Sequence, residues 1–136
     1  MPVKYTYRAA DHTIYIECYG ELTIQEISDY FKAIETDERI PKGSAELVDL
    51  RRITLFNVDH TEAASMPESY SPAHAKREII ATILFGANRI NQSLASLIEA
   101  YFRRSMPAHL FALVENYQEA LNHLAAIRAE LESDSA

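Results

Sequence analysis

Polar side chains that could hold an anion follow three predicted strands of this chain: Asp49, Arg51, Asn88, Arg89 and Asn116. In open sheets of parallel strands, ligands bind beyond the carboxyl ends of the strands, where helix N-termini present unpaired N–H groups. The guanidinium groups of Arg51 and Arg89 match carboxylate and phosphate groups in shape and charge. One interpretation is therefore a binding site for a small anion. The other is that Arg89 pairs with an acidic neighbour such as Asp49.

The other reactive residue types do not form a recognised metal, cofactor or catalytic motif. The five histidines lack the HxxxH and HExxH spacings of metal sites, and Cys18 is the only cysteine that could join them. The three glycines do not form a phosphate-binding loop, and the chain contains no G-x-S-x-G motif. The sequence therefore predicts no metal, no cofactor and no enzymatic activity.

Length and charge indicate one domain that spans residues 1–136. A chain of 136 residues is long enough for one hydrophobic core and too short for two. Its net charge of -7 repels polyanions, which argues against nucleic acid and anionic membranes as partners. The longest apolar run, residues 79–85, is far shorter than the roughly 20 residues of a membrane span. The first residues lack the apolar core of a secretory signal, so we expect a cytoplasmic protein.

Hydrophobic periodicity predicts a β-hairpin and then a helix at the start of the chain. Apolar and polar residues alternate over residues 3–7 and again over residues 14–18, a pattern typical of paired strands. Cys18 lies on the apolar face of the second strand, which predicts a buried structural thiol. Thr23 and Glu26 have the spacing of a capping box, so we expect a helix to begin there.

The middle of the chain combines one clear strand with one irregular segment. Residues 45–50 are apolar without alternation, which predicts a central strand covered on both faces. Residues 51–77 have the least regular pattern. Asp59 has the position of a helix cap there, but Pro67 and Pro72 favour a short helix and a loop over a long helix.

The last third of the chain predicts two more strands, each followed by a helix. Residues 78–82 predict a strand that leads into a long helix, which includes Leu84 among its apolar positions. Residues 109–114 predict another strand, and Asn116 has the position of a cap for the last helix. Strands that alternate with helices favour parallel pairing. We therefore expect an α/β fold: one mixed sheet of about five strands, flanked by about four helices, with its first strand antiparallel to its neighbour.

Four short stretches resemble the SpoIIAA-like family of small bacterial STAS-like proteins: Gly-Glu-Leu-Thr at 20–23, Leu-Val-Asp-Leu-Arg at 47–51, Phe-Gly-Ala-Asn-Arg at 85–89 and Asn-Tyr-Gln-Glu-Ala-Leu at 116–121. The resemblance covers about residues 5–125. It implies a sheet of about five strands flanked by helices. This outline is similar to that of the anti-sigma-factor antagonists and of the lipid-binding CRAL-TRIO fold.

The chain departs from the phosphorylated members of that wider group at one position. Those antagonists carry a serine beside an aspartate, just after a central strand and at a helix N-terminus, where added negative charge changes partner affinity. Here Asp49 is followed by Leu50, Arg51 and Arg52, and the nearest hydroxyl belongs to Thr54. A phosphorylation switch would therefore have to use Thr54 instead of the serine.

Two functions are compatible with this sequence. The missing catalytic motifs and the resemblance favour a non-enzymatic interaction or regulatory domain that binds a protein partner. The alternative is a carrier for a small apolar or anionic molecule or a lipid, with a pocket between the sheet and the helices. Pairing of exposed aromatic side chains would also favour a homodimer. A cavity between the sheet and the helices is the feature that would favour the carrier.

Overall fold

A five-stranded sheet with helices on both faces makes up the computed structural model, which describes residues 2–135 and the side chains of residues 2–133. The strands and helices follow one another as β1 (Val3–Arg8), β2 (Thr13–Thr23), α1 (Ile24–Thr36), β3 (Ala45–Asn57), α2 (His60–Arg77), β4 (Ala81–Phe85), α3 (Arg89–Ser105), β5 (Leu110–Val114) and α4 (Tyr117–Ser135). The predicted α/β sheet of five strands with four helices is therefore confirmed.

The order of the strands across the sheet is the same as their order along the chain. β1 is antiparallel to β2, and the pairs β2/β3, β3/β4 and β4/β5 are parallel. Crossover connections between parallel strands are right-handed. When each new strand is added on the same side of the previous one, these connections place their helices on the same face of the sheet. Helices α1, α2 and α3 accordingly share one hydrophobic core with the sheet, and α4 packs on the opposite face.

The central strand β3 separates these two cores. Along its first half, Glu46, Val48 and Leu50 face helices α1 to α3, and Leu47 and Asp49 face α4. Both faces of this half are covered, which explains why its apolar residues do not alternate with polar ones. The predicted central position of this strand is confirmed.

The beginning of the chain folds as its periodicity predicts. β1 and β2 form the hairpin, with Tyr5 opposite Ile16. Thr23 and Glu26 form the capping box of α1, in which the Glu26 N–H donates to Thr23 Oγ1 and the Thr23 N–H donates to Glu26 Oε1. Cys18 is buried, and this burial raises the pKa of its thiol to about 12. The predicted burial of the Cys18 thiol is therefore confirmed.

Residues 51–77 are far more regular than their sequence pattern predicts. β3 continues to Asn57, and α2 is an 18-residue helix that contains both Pro67 and Pro72. The prediction of a short helix and a loop is wrong because the burial of one face of α2 outweighs the lost hydrogen bond and the steric clash that each proline introduces. Asp59 forms a capping box at its start, and the side chains of one face are buried: Ala63, Met66, Tyr70 and Ala73.

The boundary between β4 and α3 also differs from the prediction. β4 covers Ala81–Phe85, so Leu84 belongs to the strand and not to the helix. The backbone turns at Gly86, whose φ of +81° is in the left-handed region that favours glycine. α3 begins only at Arg89, after Asn88 has capped it by accepting a hydrogen bond from the Asn91 N–H. Apolar content alone did not distinguish strand from helix in this run.

Candidate functional site

A cavity of about 80 Å³ lies between the sheet and helices α1, α2 and α3. All five strands and these three helices contribute to its wall. Most of the wall is aliphatic or aromatic, with four polar side chains and one thiol among the lining residues: Val3, Ile16, Cys18, Leu22, Ile27, Tyr30, Phe31, Glu46, Val48, Leu50, Phe56, Met66, Tyr70, Thr82, Leu84, Ile98, Phe102 and Phe111. An apolar cavity with a few convergent polar groups is the usual form of a small-molecule site.

The polar groups of the wall converge on the carboxyl group of Glu46. Tyr30 donates its hydroxyl proton to Oε2 at 2.5 Å. Oε1 accepts from the hydroxyls of Tyr70 at 2.6 Å and Thr82 at 2.7 Å. Glu46 and Thr82 are direct neighbours across β3 and β4, so the sheet register itself sets their separation. The side chain of Glu46 is 1% exposed, which makes it a buried carboxyl group held by three hydroxyl donors.

The cluster continues from Thr82 to His109, which immediately precedes β5. Thr82 Oγ1 and His109 Nε2 are joined by a hydrogen bond of 2.8 Å, in which Nε2 is the donor when the Thr82 hydroxyl donates to Glu46. The His109 ring is buried at this end of the cluster. The ring of His74 contacts it edge-on, with 4.8 Å between the ring centroids.

Burial controls the protonation of this cluster. It raises the pKa of Glu46 above its ordinary value, although the hydrogen bonds from Tyr30, Tyr70 and Thr82 act in the opposite direction. It also raises the pKa values of Tyr30 and Tyr70, which the charge of Glu46 raises further. Burial lowers the pKa of His109 to about 4, with a smaller contribution from His74. Burial therefore opposes charge throughout the cluster, and at Glu46 the three hydrogen bonds partly offset this effect on the pKa.

An unbroken series of aromatic contacts lines the helix side of the cavity. The ring of Phe31 lies 5.9 Å from that of Tyr30 and 5.0 Å from that of Tyr70, measured between centroids. Phe102 lies 5.6 Å from Tyr70 and stacks on Phe111 at 4.6 Å. Such pairs add to the stability of a core beyond the burial of their area. The rings also give the cavity an aromatic wall beside Glu46.

A groove on the surface lies directly outside the cavity, between β1 and α1. It has a volume of about 110 Å³ and is lined by Pro2, Val3, Tyr5, Glu26, Asp29, Tyr30 and Ala33. Val3 and Tyr30 line both the groove and the cavity. These two side chains therefore lie between the cavity and the groove, at the edge of the sheet.

The residues predicted to bind an anion lie elsewhere. Asp49 and Arg51 are on the α4 face of the sheet, where Arg51 Nε and Nη2 donate to the two carboxylate oxygens of Asp49 at 3.0 and 2.8 Å. Tyr15 donates to the same carboxylate at 2.7 Å. Burial alone would raise the pKa of Asp49, but the hydrogen bonds from Arg51 and Tyr15 keep it below its ordinary value. The acidic partner proposed for Arg89 is therefore bound to Arg51.

The other three predicted residues sit at the starts of helices. Asn88 caps α3, and Asn116 Oδ1 accepts from the Glu119 N–H at the start of α4. Arg89 is exposed and forms no ion pair among the side chains of residues 2–133. The shared anion site of Arg51 and Arg89 stays a prediction. Thr54 is exposed in the middle of β3, before the helix N-terminus at Asp59, so its surroundings differ from those of the serine it was compared with.

Gly86 fixes the packing of Arg51 and allows a direct test. A Cβ at residue 86 would overlap Arg51 Cγ, and the backbone there has φ +81°. We expect Gly86→Ala to lower the free energy of unfolding by about 1–3 kcal/mol in urea denaturation, from the strained backbone plus the overlap.

A matched glycine separates the two causes of that loss. Gly43 has φ +87°, but a Cβ there would meet no atom within 4 Å, so Gly43→Ala reports the backbone strain alone. The loss at Gly86 should exceed that at Gly43, and adding Arg51→Ala should remove the excess. Equal losses at the two glycines would contradict the described packing of Arg51.

None of the residues of the cavity cluster was predicted from sequence patterns as part of a site. One signal was present: Glu46 is a charged residue within a run predicted to be buried on both faces. Charged side chains are almost never fully buried without partners, so such a residue predicts a polar cluster. Its partners Tyr30, Tyr70 and Thr82 come from three other elements, and no local spacing connects them.

Within residues 2–133, no group of three or more His, Cys, Asp or Glu side chains is placed to hold a metal ion. None of the helices between residues 2 and 135 combines the length and the apolar character that crossing a membrane requires.

Comparison with known proteins gives a likeness at the level of structure. No protein-family model and no curated protein matches the chain in sequence. Its structure is similar to that of an uncharacterised protein from the DUF3478 family of Shewanella loihica, which has a SpoIIAA-like fold. The TM-score is 0.54 and the identity 13%, over 90% of this chain and 91% of that chain. The protein therefore has the SpoIIAA-like fold that the four short stretches of sequence implied.

Proposed function

We propose that this protein is a non-enzymatic binding domain that holds a small, mainly apolar molecule in the cavity between its sheet and helices α1 to α3. The observation that carries this proposal is the cavity itself, of about 80 Å³, with a carboxyl group and three hydroxyls in an otherwise apolar wall. Interiors are normally packed without voids much larger than a water molecule. Space of this size in the main core is a feature that a ligand can use.

The size of the cavity limits its ligand. It has about half the volume of the roughly 150 Å³ apolar cavity that is known to take up benzene or xenon. A molecule of a few non-hydrogen atoms fits without rearrangement. The polar cluster at Glu46 gives such a molecule one orientation, because its polar atom finds partners only there.

The groove between β1 and α1 supports a route into the cavity. β1 is an edge strand, and only Val3 and Tyr30 line both the groove and the cavity. A rotation of these two side chains connects the cavity with solvent and leaves the sheet paired. Side-chain rotations are fast compared with the opening of a helix or a strand.

The test is native mass spectrometry of the protein purified from its own host. We expect an added mass on the wild type and none on Leu84→Phe, because the larger ring fills the cavity. Leu110→Phe is the matched control, since Leu110 is 45% exposed on β5 and outside the cavity wall; it should keep the added mass. An unliganded mass for the wild type under all growth conditions would refute the proposal.

A second candidate is a regulatory domain of the cytoplasm that binds another protein. It is supported by Leu55 and Ile90, apolar side chains that are 45% and 76% exposed. They are the sequence neighbours of Phe56 and Asn91, which are joined by a hydrogen bond from the Phe56 N–H to Asn91 Oδ1. A pull-down should recover a specific protein with the wild type and lose it with Ile90→Asp. Recovery of no specific protein would count against this candidate.

A further inference from the structure

We propose that the molecule held in the cavity is an apolar amine whose ammonium group pairs with the carboxylate of Glu46. This inference rests on the binding function proposed above and adds the chemical class of the ligand. Three observations carry it: the lack of a cationic partner for the buried Glu46 among the described side chains, the acceptor position left on its Oε2, and the aromatic wall.

Glu46 is a buried acid without a cation. Its hydrogen bonds come from three neutral hydroxyls, and no Lys, Arg or His among the side chains of residues 2–133 forms an ion pair with it. His109 is separated from it by Thr82. A buried carboxylate is strongly stabilised by an opposite charge. Folding has already removed water from this carboxylate. When an ammonium group of a ligand pairs with it, the only further desolvation cost is therefore that of the ammonium group.

The carboxylate has room for one more donor. Its two oxygens offer about four acceptor positions, of which Tyr30, Tyr70 and Thr82 occupy three. Oε1 accepts two of these hydrogen bonds and Oε2 only one. Glu46 also forms part of the cavity wall, so a donor inside the cavity can reach the remaining position on Oε2.

The surroundings of Glu46 suit a cation with an alkyl substituent. The rings of Tyr30, Phe31 and Tyr70 stand beside the carboxyl group, and π faces attract ammonium groups. The rest of the wall is apolar and matches a hydrocarbon. A carboxylic acid would bring a second negative charge to Glu46, and an alcohol would form the hydrogen bond but leave the charge of Glu46 unpaired.

The test compares n-butylamine, 1-butanol and butyrate, which share one alkyl chain. Binding to the full chain at pH 7 is measured by calorimetry or by ligand-observed NMR. We expect the amine to bind at least about tenfold more tightly than the alcohol, since hydrogen bonds to charged groups are the stronger ones. Glu46→Gln should reduce the amine to the affinity of the alcohol. Glu17→Gln, on the same sheet outside the cavity wall, is the matched control and should keep the preference.

The outcomes separate this inference from the proposed function. Equal affinity of amine and alcohol, or tighter binding of butyrate, overturns the amine and leaves the binding function standing. If none of the three binds and the purified protein also has no added mass, the binding function fails with it. If Glu46→Gln does not fold, the test uses the wild type and measures the carbon-13 chemical shift of the Glu46 carboxyl carbon. Saturation with amine should move it, and an unmoved signal overturns the inference.

Discussion

Replacing Glu46 by leucine is expected to lower the free energy of unfolding by about 2–5 kcal/mol, measured by urea denaturation. The leucine is apolar and of similar size, so the loss comes from its former partners. The buried hydroxyls of Tyr30 and Tyr70 lose the acceptor that now lies 2.5 and 2.6 Å away. Each buried donor without an acceptor costs about 1–3 kcal/mol.

Removing those hydroxyls as well should restore stability. In the triple variant Glu46→Leu, Tyr30→Phe, Tyr70→Phe, the two former donors are gone and Thr82 keeps His109 as a partner. Replacing all partners of a buried polar cluster by apolar groups is often neutral or stabilising. We expect the triple variant to be clearly more stable than Glu46→Leu alone. If the triple variant is less stable than Glu46→Leu alone, the expectation is contradicted. The hydrogen-bonded cluster as a whole would then stabilise the fold, and the loss in Glu46→Leu would not come from unpaired tyrosine hydroxyls.

Acid is expected to destabilise the protein through His109, by about 3 kcal/mol between pH 7 and pH 4. The pKa of His109 is about 4 in the folded protein and about 6.5 for an unperturbed histidine. The unfolded chain therefore binds a proton at a higher pH than the folded protein does. The contribution of His109 is complete above pH 6.5 and is lost as the pH falls towards 4.

A variant that does not titrate isolates this effect. His109→Gln keeps a polar side chain near Thr82 and stays neutral at every pH. Other groups also titrate in this range, and the raised pKa of Glu46 acts in the opposite direction, because it favours the folded protein as the pH falls. The quantity to compare is therefore the difference between wild type and variant in urea denaturation at pH 7, 5.5 and 4. A constant difference across this range would contradict a depressed pKa for His109.

The parts of the fold that the sequence predicted correctly depend on local signals. The alternation of residues 14–18 and the capping box of Thr23 and Glu26 each describe one element, and their physical causes lie within that element. α2 shows the opposite case. Pro67 and Pro72 oppose a helix locally, and the helix forms because Met66 and Tyr70 are buried against the rest of the molecule. Contacts of this kind are not visible in one segment of sequence.

The candidate site was predictable to a smaller degree. Asn116 lies at the helix start that its sequence position predicted, whereas Asn88 caps α3 at a position that was not predicted as a cap. The cavity cluster could not be found in this way because its members are brought together by the pairing of β3 with β4 and by the packing of α1 and α2 on the sheet. Among these residues, only Glu46 has a local sequence signal, because it is an acidic residue in a run of apolar residues.

The agreement between strand order and chain order has a consequence for how the protein is made. A chain that leaves the ribosome from its N-terminus can add each new strand to the one completed just before it, and domains assemble in this direction during synthesis. The wall of the cavity is completed last, because Phe102 and Phe111 belong to α3 and β5. A ligand of the class proposed above would therefore meet Glu46 while the cavity is still open, before residues 102–111 close it.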